Sequence, residues 1–167
     1  MIYTSSYDSP LGKITLANDE EVLIGLWFEG QKYFGSTITS TTCEVSPIES
    51  PMFSRTKNWL DTYFSGKIPN FLPQFSTSDT MFRLIVWKFL LDIPYGKTRT
   101  YRDIARSIAV SLGTKCVAPQ AIGNAVSRNP ISLIIPCHRV IGANGSLTGY
   151  AGGIAKKASL LKLEGAI

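Results

Sequence analysis

A chain of 167 residues with 44% hydrophobic content can bury one good core or two small ones. No stretch approaches the roughly 20 apolar residues of a membrane span, and the N-terminus MIYTSSYDSPLG has neither the basic nor the apolar region of a secretory signal, so a soluble, cytoplasmic protein is expected. Three cysteines (Cys43, Cys116, Cys137) and a single histidine cannot build the usual Cys/His metal cages. The net charge of +5 hides a split: Met1 to Asp79 carries five Lys/Arg against nine Asp/Glu, whereas Thr80 to Ile167 carries twelve against three.

In chain order, Ile14, Leu16 and then Val22 to Phe28 read as β-strands of a meander, punctuated by turns at SPLG and ANDEE. Met52, Arg55/Thr56, Trp59/Leu60 and Tyr63/Phe64 follow helical spacing, and Gly66 with Pro69 stop that helix. The charge changes sign at PQFSTSDT, which marks a boundary. Beyond it, Phe82, Val86, Phe89, Leu90 and Ile93 form one buried helical stripe, ended by PYG. Thr100 with Asp103 three residues on opens a second helix carrying Ile104, Ala105 and Ile108, and SLGTKC breaks it.

Pro119 suits the first position of a third helix, with Ile122, Ala125 and Val126 on its apolar face and its end near Asn129-Pro130. Two short helices around a glycine-containing loop, in the basic half, suggest a helix-turn-helix. The other face of the third helix holds Gln120, Ala121, Gly123, Asn124 and Ser127, with charge delayed until Arg128. Small residues allow close backbone approach, which serves either helix packing or shallow minor-groove contact rather than long-armed base reading. Ile131 to Ile135 reads as a buried strand that Pro136 turns aside, so Cys137 and His138 are expected at a strand exit. A thiol there, near an imidazole and Arg139, would have ionisation to the nucleophilic thiolate favoured.

The run IPCHRVIG, preceded by RNP and followed by NGSLTGYAGG, resembles the O6-alkylguanine-DNA alkyltransferases, also called methylated-DNA-protein-cysteine methyltransferases. The resemblance extends through VWKFLLDIPYGKTRTYRDIA and LLKLEG, and SPLGKITLA and GLWF are similar in kind. It implies an α+β chain: a small N-terminal α/β domain, ribonuclease H-like and with antiparallel strands, over residues 1–77, then a mainly helical DNA-binding and alkyl-acceptor domain with a winged helix-turn-helix over residues 80–167.

By the same resemblance the protein flips an O6-alkylguanine out of double-stranded DNA, approached through the minor groove, and moves the alkyl group onto its own Cys137, once per molecule. Base flipping is required because a thiolate cannot line up behind a carbon stacked inside a duplex. His138 is the implied base and Glu164 its orienting carboxylate. Asn129 is to hold the turn before the acceptor, and Tyr101 to contact the flipped nucleotide and donate toward the leaving guanine. Gln120, Ala121, Tyr101, Arg102 and Arg128 are the implied DNA contacts. Val126, Val140, Tyr150 and Ala151, with the backbone around Leu147 to Ala151, are the implied pocket. No metal or organic cofactor is expected, since the damaged DNA is the donor, and a monomer is expected. Gln120 departs from the family's usual arginine at the start of the recognition helix, the loop from Ile108 to Pro119 is long, and Cys116 in it has no implied role. O4-alkylthymine is a further implied substrate. The alternatives are a non-catalytic alkylated-DNA-binding protein, against which the intact Cys137 speaks, a cysteine hydrolase, which turns over repeatedly, and a winged-helix regulator.

Overall fold

The computed structural model describes residues 1–39, 42–44 and 50–167. They fall into two compact units: residues 1–77 with 130–134, and residues 78–129 with 135–167.

The first unit is built on a four-stranded sheet in the order β3-β2-β1-β4. β1 (Ile2–Ser9), β2 (Gly12–Asp19) and β3 (Val22–Phe28) form an antiparallel meander, and β4 (Thr42–Glu44) joins β1 in parallel. Gly12 (φ +113°) makes the first hairpin tight, and Glu20 (φ +55°) turns the second. β1 goes beyond the strands expected above. Its sequence IYTSSYDS is largely polar, and pairing with β2 over Ile2↔Asp19 to Ser9↔Gly12 organises it. α1 (Pro51–Phe64) begins with proline at its first turn and turns Phe53, Thr56, Trp59, Leu60 and Tyr63 inward. Tyr7 of β1 donates to Asp61 of α1 at 2.8 Å.

Two segments distant in sequence are pinned to β3. Leu23 exchanges hydrogen bonds with Gln74 and Ser76, so part of the expected inter-domain linker is ordered against the sheet. Leu26 does the same with the run after Asn129: its N–H donates to Pro130 O at 2.9 Å, and its carbonyl accepts from Ser132 N at 2.9 Å.

The expected strand over 131–135 is therefore corrected. Ile131 forms a single bridge with Leu26, then Leu133 adopts a left-handed conformation (φ +70°) and the chain turns. Residues 131–138 are buried throughout, which is what the apolar run encodes, but their hydrogen bonds go into turns rather than a ladder. Pro136 (φ −81°, ψ 64°) sits at the centre of an inverse γ-turn in which Cys137 N donates to Ile135 O at 2.8 Å. Proline's fixed φ suits that geometry.

In the second unit, α2 (Met81–Leu91) is capped by Thr80, whose hydroxyl accepts from Arg83 N. Val86, Trp87 and Leu90 are its buried residues, while Phe82 and Phe89 of the expected stripe are only partly covered. Trp87 faces inward because its indole N–H donates to Ala125 O at 2.9 Å. α3 (Tyr101–Leu112) starts at Thr100, whose hydroxyl accepts from Asp103 N at 3.0 Å and donates to its carboxylate at 2.7 Å. Gly113 in the left-handed conformation ends it. α4 (Pro119–Ser127) packs Ile122, Ala125 and Val126 inward against α2 and α3. β5 (Arg99–Thr100) pairs in parallel with β6 (Val140–Ile141), and α5 (Ile154–Leu163) closes the unit.

Candidate active site around Cys137

Cys137–Arg139 form a single 3₁₀ turn between Pro136 and β6. At three residues per turn, neighbouring side chains diverge by about 120° rather than the 180° of a strand. Cys137 and His138 are therefore not sent to opposite faces, as they would be on a continuing strand.

Asn129, directly after α4, reaches across the buried turn. Its side-chain amide donates to Ile135 O at 2.8 Å and to Cys137 Sγ at 3.2 Å. One residue thus fixes both the backbone entering the turn and the sulfur leaving it. His138 is fully buried, and its Nε2 lies 2.7 Å from Glu164 Oε1. Glu164 caps the end of α5 and accepts from Arg139 as well, Nε to Oε2 at 2.9 Å and Nη2 to Oε1 at 3.0 Å. Gly96 N adds a fourth donor at 3.1 Å. With its Nε2–H held by the carboxylate, a neutral His138 carries its lone pair on Nδ1.

The electrostatics differ from the expectation of a ready thiolate. Burial pushes the Cys137 thiol up, outweighing the Asn129 hydrogen bond and the Lys157 charge that pull it down. Burial likewise pushes His138 below its ordinary range, with Glu164 drawing it partly back. The resting pair is a neutral thiol and a neutral imidazole. Arg139 turns to Glu164 and donates to Ile93 O at 2.6 Å, so its charge is spent there rather than at the sulfur. Burial also raises Glu164, but the hydrogen bonds and charges of His138 and Arg139 prevail and hold its carboxyl at about 2.

Tyr101 opens α3 beside α4, where a Cβ added to Gly123 would meet its ring at 3.9 Å. Its hydroxyl donates to Thr148 O at 2.8 Å, and burial first, then Cys137, pushes its pKa up to about 12. Tyr150 is buried, its ring centroid 6.5 Å from that of His138, and its hydroxyl has no hydrogen-bond partner among the described residues. Val140 is buried on β6, and Val126 on the inner face of α4, where its carbonyl accepts from Asn129 N. Ala151 is half-covered next to Tyr150.

The other residues singled out for DNA lie on α3 and on or just after α4. Gln120 and Ala121 line a cleft of about 470 Å³ with Thr80, Phe82, Arg83 and Asn124. Arg102 lines another of about 500 Å³, in which Arg106, Lys115 and Cys116 also take part. Arg128 follows the last turn of α4. Among the described residues no three His, Cys, Asp or Glu side chains come together as a metal site requires.

The model of the 6-O-methylguanine DNA methyltransferase DNA binding domain matches residues 81–166, and that of the ribonuclease-like domain of the same methyltransferases matches residues 2–72. The chain belongs to the 6-O-methylguanine DNA methyltransferase family. It is 43% identical to the methylated-DNA–protein-cysteine methyltransferase of Methanosarcina acetivorans, covering 98% of this chain and 99% of that protein. The Methanosarcina barkeri protein of the same name is 45% identical over 98% of this chain and 97% of its own length. Among solved structures, Mycobacterium tuberculosis OGT in complex with DNA superimposes with a TM-score of 0.85 at 39% identity, covering 98% of this chain and 93% of that one.

One residue of this family member's site escaped the sequence reading. Lys157 of α5 is fully buried, and its Nζ donates to Val140 O and to Thr148 O, the latter at 2.7 Å. The signal was present in GGIAKKASLLKLEG, where Lys157, Leu160, Leu161 and Glu164 recur at i, i+3, i+4 and i+7, placing a lysine on the apolar stripe of the helix.

Proposed function

We propose that this chain repairs DNA by taking the alkyl group from O6 of an alkylguanine onto Cys137, irreversibly and once per molecule. The observation that carries the assignment is the buried Cys137 sulfur, held by Asn129 at 3.2 Å on the same turn as the His138–Glu164 pair, in a member of the 6-O-methylguanine DNA methyltransferase family.

In the reaction, the Cys137 proton passes to His138, directly or through water, and Glu164 stabilises the imidazolium that results. The thiolate attacks the alkyl carbon. An S–C bond forms as the C–O6 bond breaks, and the bonding pair stays on O6 of the departing guanine. Tyr101 supports that departure as a proton-bearing donor, since its raised pKa keeps it protonated at neutral pH. It must first exchange Thr148 O for the base. The buried, unpartnered Tyr150 hydroxyl and the half-covered Ala151 favour placing the flipped base between residues 147–151 and Val140, with Val126 behind. The product is a thioether, a bond that water does not hydrolyse at neutral pH, so each molecule acts once.

We assign DNA binding and alkyl acceptance to residues 80–167 and a supporting role to residues 1–77. The excess of twelve basic over three acidic residues from Thr80 onward favours a polyanion on this part of the chain. Ala121 and Gly123 on the outer side of α4 permit the close approach that a minor groove demands. Gln120 then fills the gap left by the flipped base, Arg102 and Arg128 meet phosphates, and a monomer acting in the cytoplasm suffices.

The test is to mix the protein with a duplex carrying O6-methylguanine and measure intact mass and peptide map. One added methyl on the peptide holding Cys137, saturating at one per molecule, is expected. Loss of the lesion with an unmodified Cys137, or clearance of many lesions per molecule, refutes the proposal.

A further inference from the structure

Of the three lysines of α5, Lys157 alone is buried; Lys162 faces solvent and Lys156 is half-covered. Placing an ammonium in an interior is costly, and burial pushes the pKa of Lys157 down to about 8. A methionine would fill the same volume without that penalty, so the charge has to be explained. No carboxylate pairs with Lys157 among the described residues. Its protons go to two carbonyls that follow the reactive turn: Val140 O, directly after Cys137–Arg139, and Thr148 O, eight residues further on, at 2.7 Å. Thr148 O is also the acceptor of the Tyr101 hydroxyl, and Lys157 Nζ lies 5.8 Å from the centroid of the Tyr101 ring. The ionisable group that holds the ammonium in its charged form is Cys137.

We propose that Lys157 is a positioning residue of the transfer reaction: its ammonium ties the Val140 carbonyl at the end of the acceptor turn to the Thr148 carbonyl, and supplies the positive charge that holds the Cys137 thiolate as it forms. The proposal rests on the function assigned above and deepens it. The charge is in place before DNA arrives, so no solvent has to reorganise when the sulfur ionises. The same charge opposes protonation of His138, which keeps the imidazole neutral and able to accept the thiol proton. The titratable groups that share the site with Lys157 are Cys137 and His138 on the 3₁₀ turn, Tyr101 on α3, Tyr150 in the following loop, and Arg139 with Glu164 beyond them. By contrast, a lysine that only bridged two backbone carbonyls would leave the ionisation of the sulfur untouched.

The experiment uses the full chain and the variants Lys157→Met, Lys157→Gln and Lys157→Arg, with Lys162→Met removing the same charge from the exposed side of α5. Carbamidomethylation by iodoacetamide is followed by peptide mass at pH 7, where an ammonium with a pKa of about 8 is charged, with Cys116 as an internal reference. The rate at Cys137 is expected to fall about tenfold or more in the methionine and glutamine variants. It should stay close to wild type in the arginine and Lys162→Met proteins, and the rate at Cys116 should not change in any of them. Methyl transfer at the same pH should fall in proportion. An unchanged Cys137 rate in a folded Lys157→Met or Lys157→Gln protein, whatever its Tm, overturns the proposal. Should the methionine protein not fold, the glutamine and arginine pair decides, because equal rates in those two are equally fatal. The thiol labelling needs no DNA, so a failure of wild-type methyl transfer would count against the assigned reaction and leave the result on Lys157 readable.

Discussion

Replacing Glu164 by glutamine keeps the shape of the side chain and deletes its charge. The carboxylate is ringed by donors: His138 Nε2 at 2.7 Å, Arg139 at 2.9 and 3.0 Å, and Gly96 N at 3.1 Å. Glutamine offers one acceptor oxygen where the carboxylate has two, and its NH₂ must then face one of those donors. Arg139, only 11% exposed, keeps Ile93 O but loses its counter-charge. Removing one partner of a buried ion pair costs about 3 to 5 kcal/mol. The carboxyl, held at about 2 against an ordinary 4.5, gives about 3 kcal/mol by linkage. Both routes lead to a loss of about 3 kcal/mol, which lowers Tm by roughly 6 to 12 °C for a chain of this size. His138 also loses the acceptor that fixes its tautomer, so methyl transfer should slow by about 100-fold, the lower end of what general acid–base groups contribute. Thermal unfolding and a quenched single-turnover assay on an O6-methylguanine duplex measure the two effects. A Tm within about 2 °C of wild type, together with an unchanged rate, would refute the view that this carboxylate organises both the fold and the base.

Four further outcomes are expected. Because Glu164 has a folded pKa below its unfolded one, its contribution to stability is complete above the ordinary glutamate range and is lost as pH falls from about 4.5 toward 2; urea midpoints across that window should drop in wild type and change less in Glu164→Gln. Asn129→Ala removes the donor to Ile135 O and Cys137 Sγ, which should cost about 1 to 3 kcal/mol and raise the pH at which iodoacetamide reacts with Cys137. Gly149→Ala places a Cβ 2.7 Å from the Tyr101 hydroxyl at a φ of +73°, so breakage of the Tyr101–Thr148 bond and a loss of about 1 to 2 kcal/mol should appear in thermal unfolding. Gln120→Arg adds a cation at the start of α4; titrations on duplex DNA should show the slope of log affinity against log salt steepening by about one, and an identical slope would place this residue away from phosphate.

What could be read directly from the sequence was local. Thr100 before apolar periodicity, Pro119 at a first helical turn and the break at SLGTKC act within a few residues of themselves, so α3 and α4 lie close to their expected places. The PCHRV run and its neighbours named the family and drew attention to Cys137, His138, Glu164 and Asn129. The polar β1 was missed because its order comes from pairing with β2 rather than from its own pattern.

Only the tertiary structure decided three other matters. The apolar run 131–135 is buried, as its composition demands, but its conformation follows from Leu26 and from Gln31, whose side-chain oxygen accepts from Ser132 across 101 positions of sequence. The charge of Lys157 argues for solvent, yet the carbonyls of Val140 and Thr148 draw it inside. The neighbouring Arg139 argues for a thiolate, yet the fold gives that arginine to Glu164 and leaves the sulfur dry and protonated at rest. In each case sequence set the chemical character of a side chain, while the free energy of its charge or hydrogen bonds depended on partners that only folding brings near.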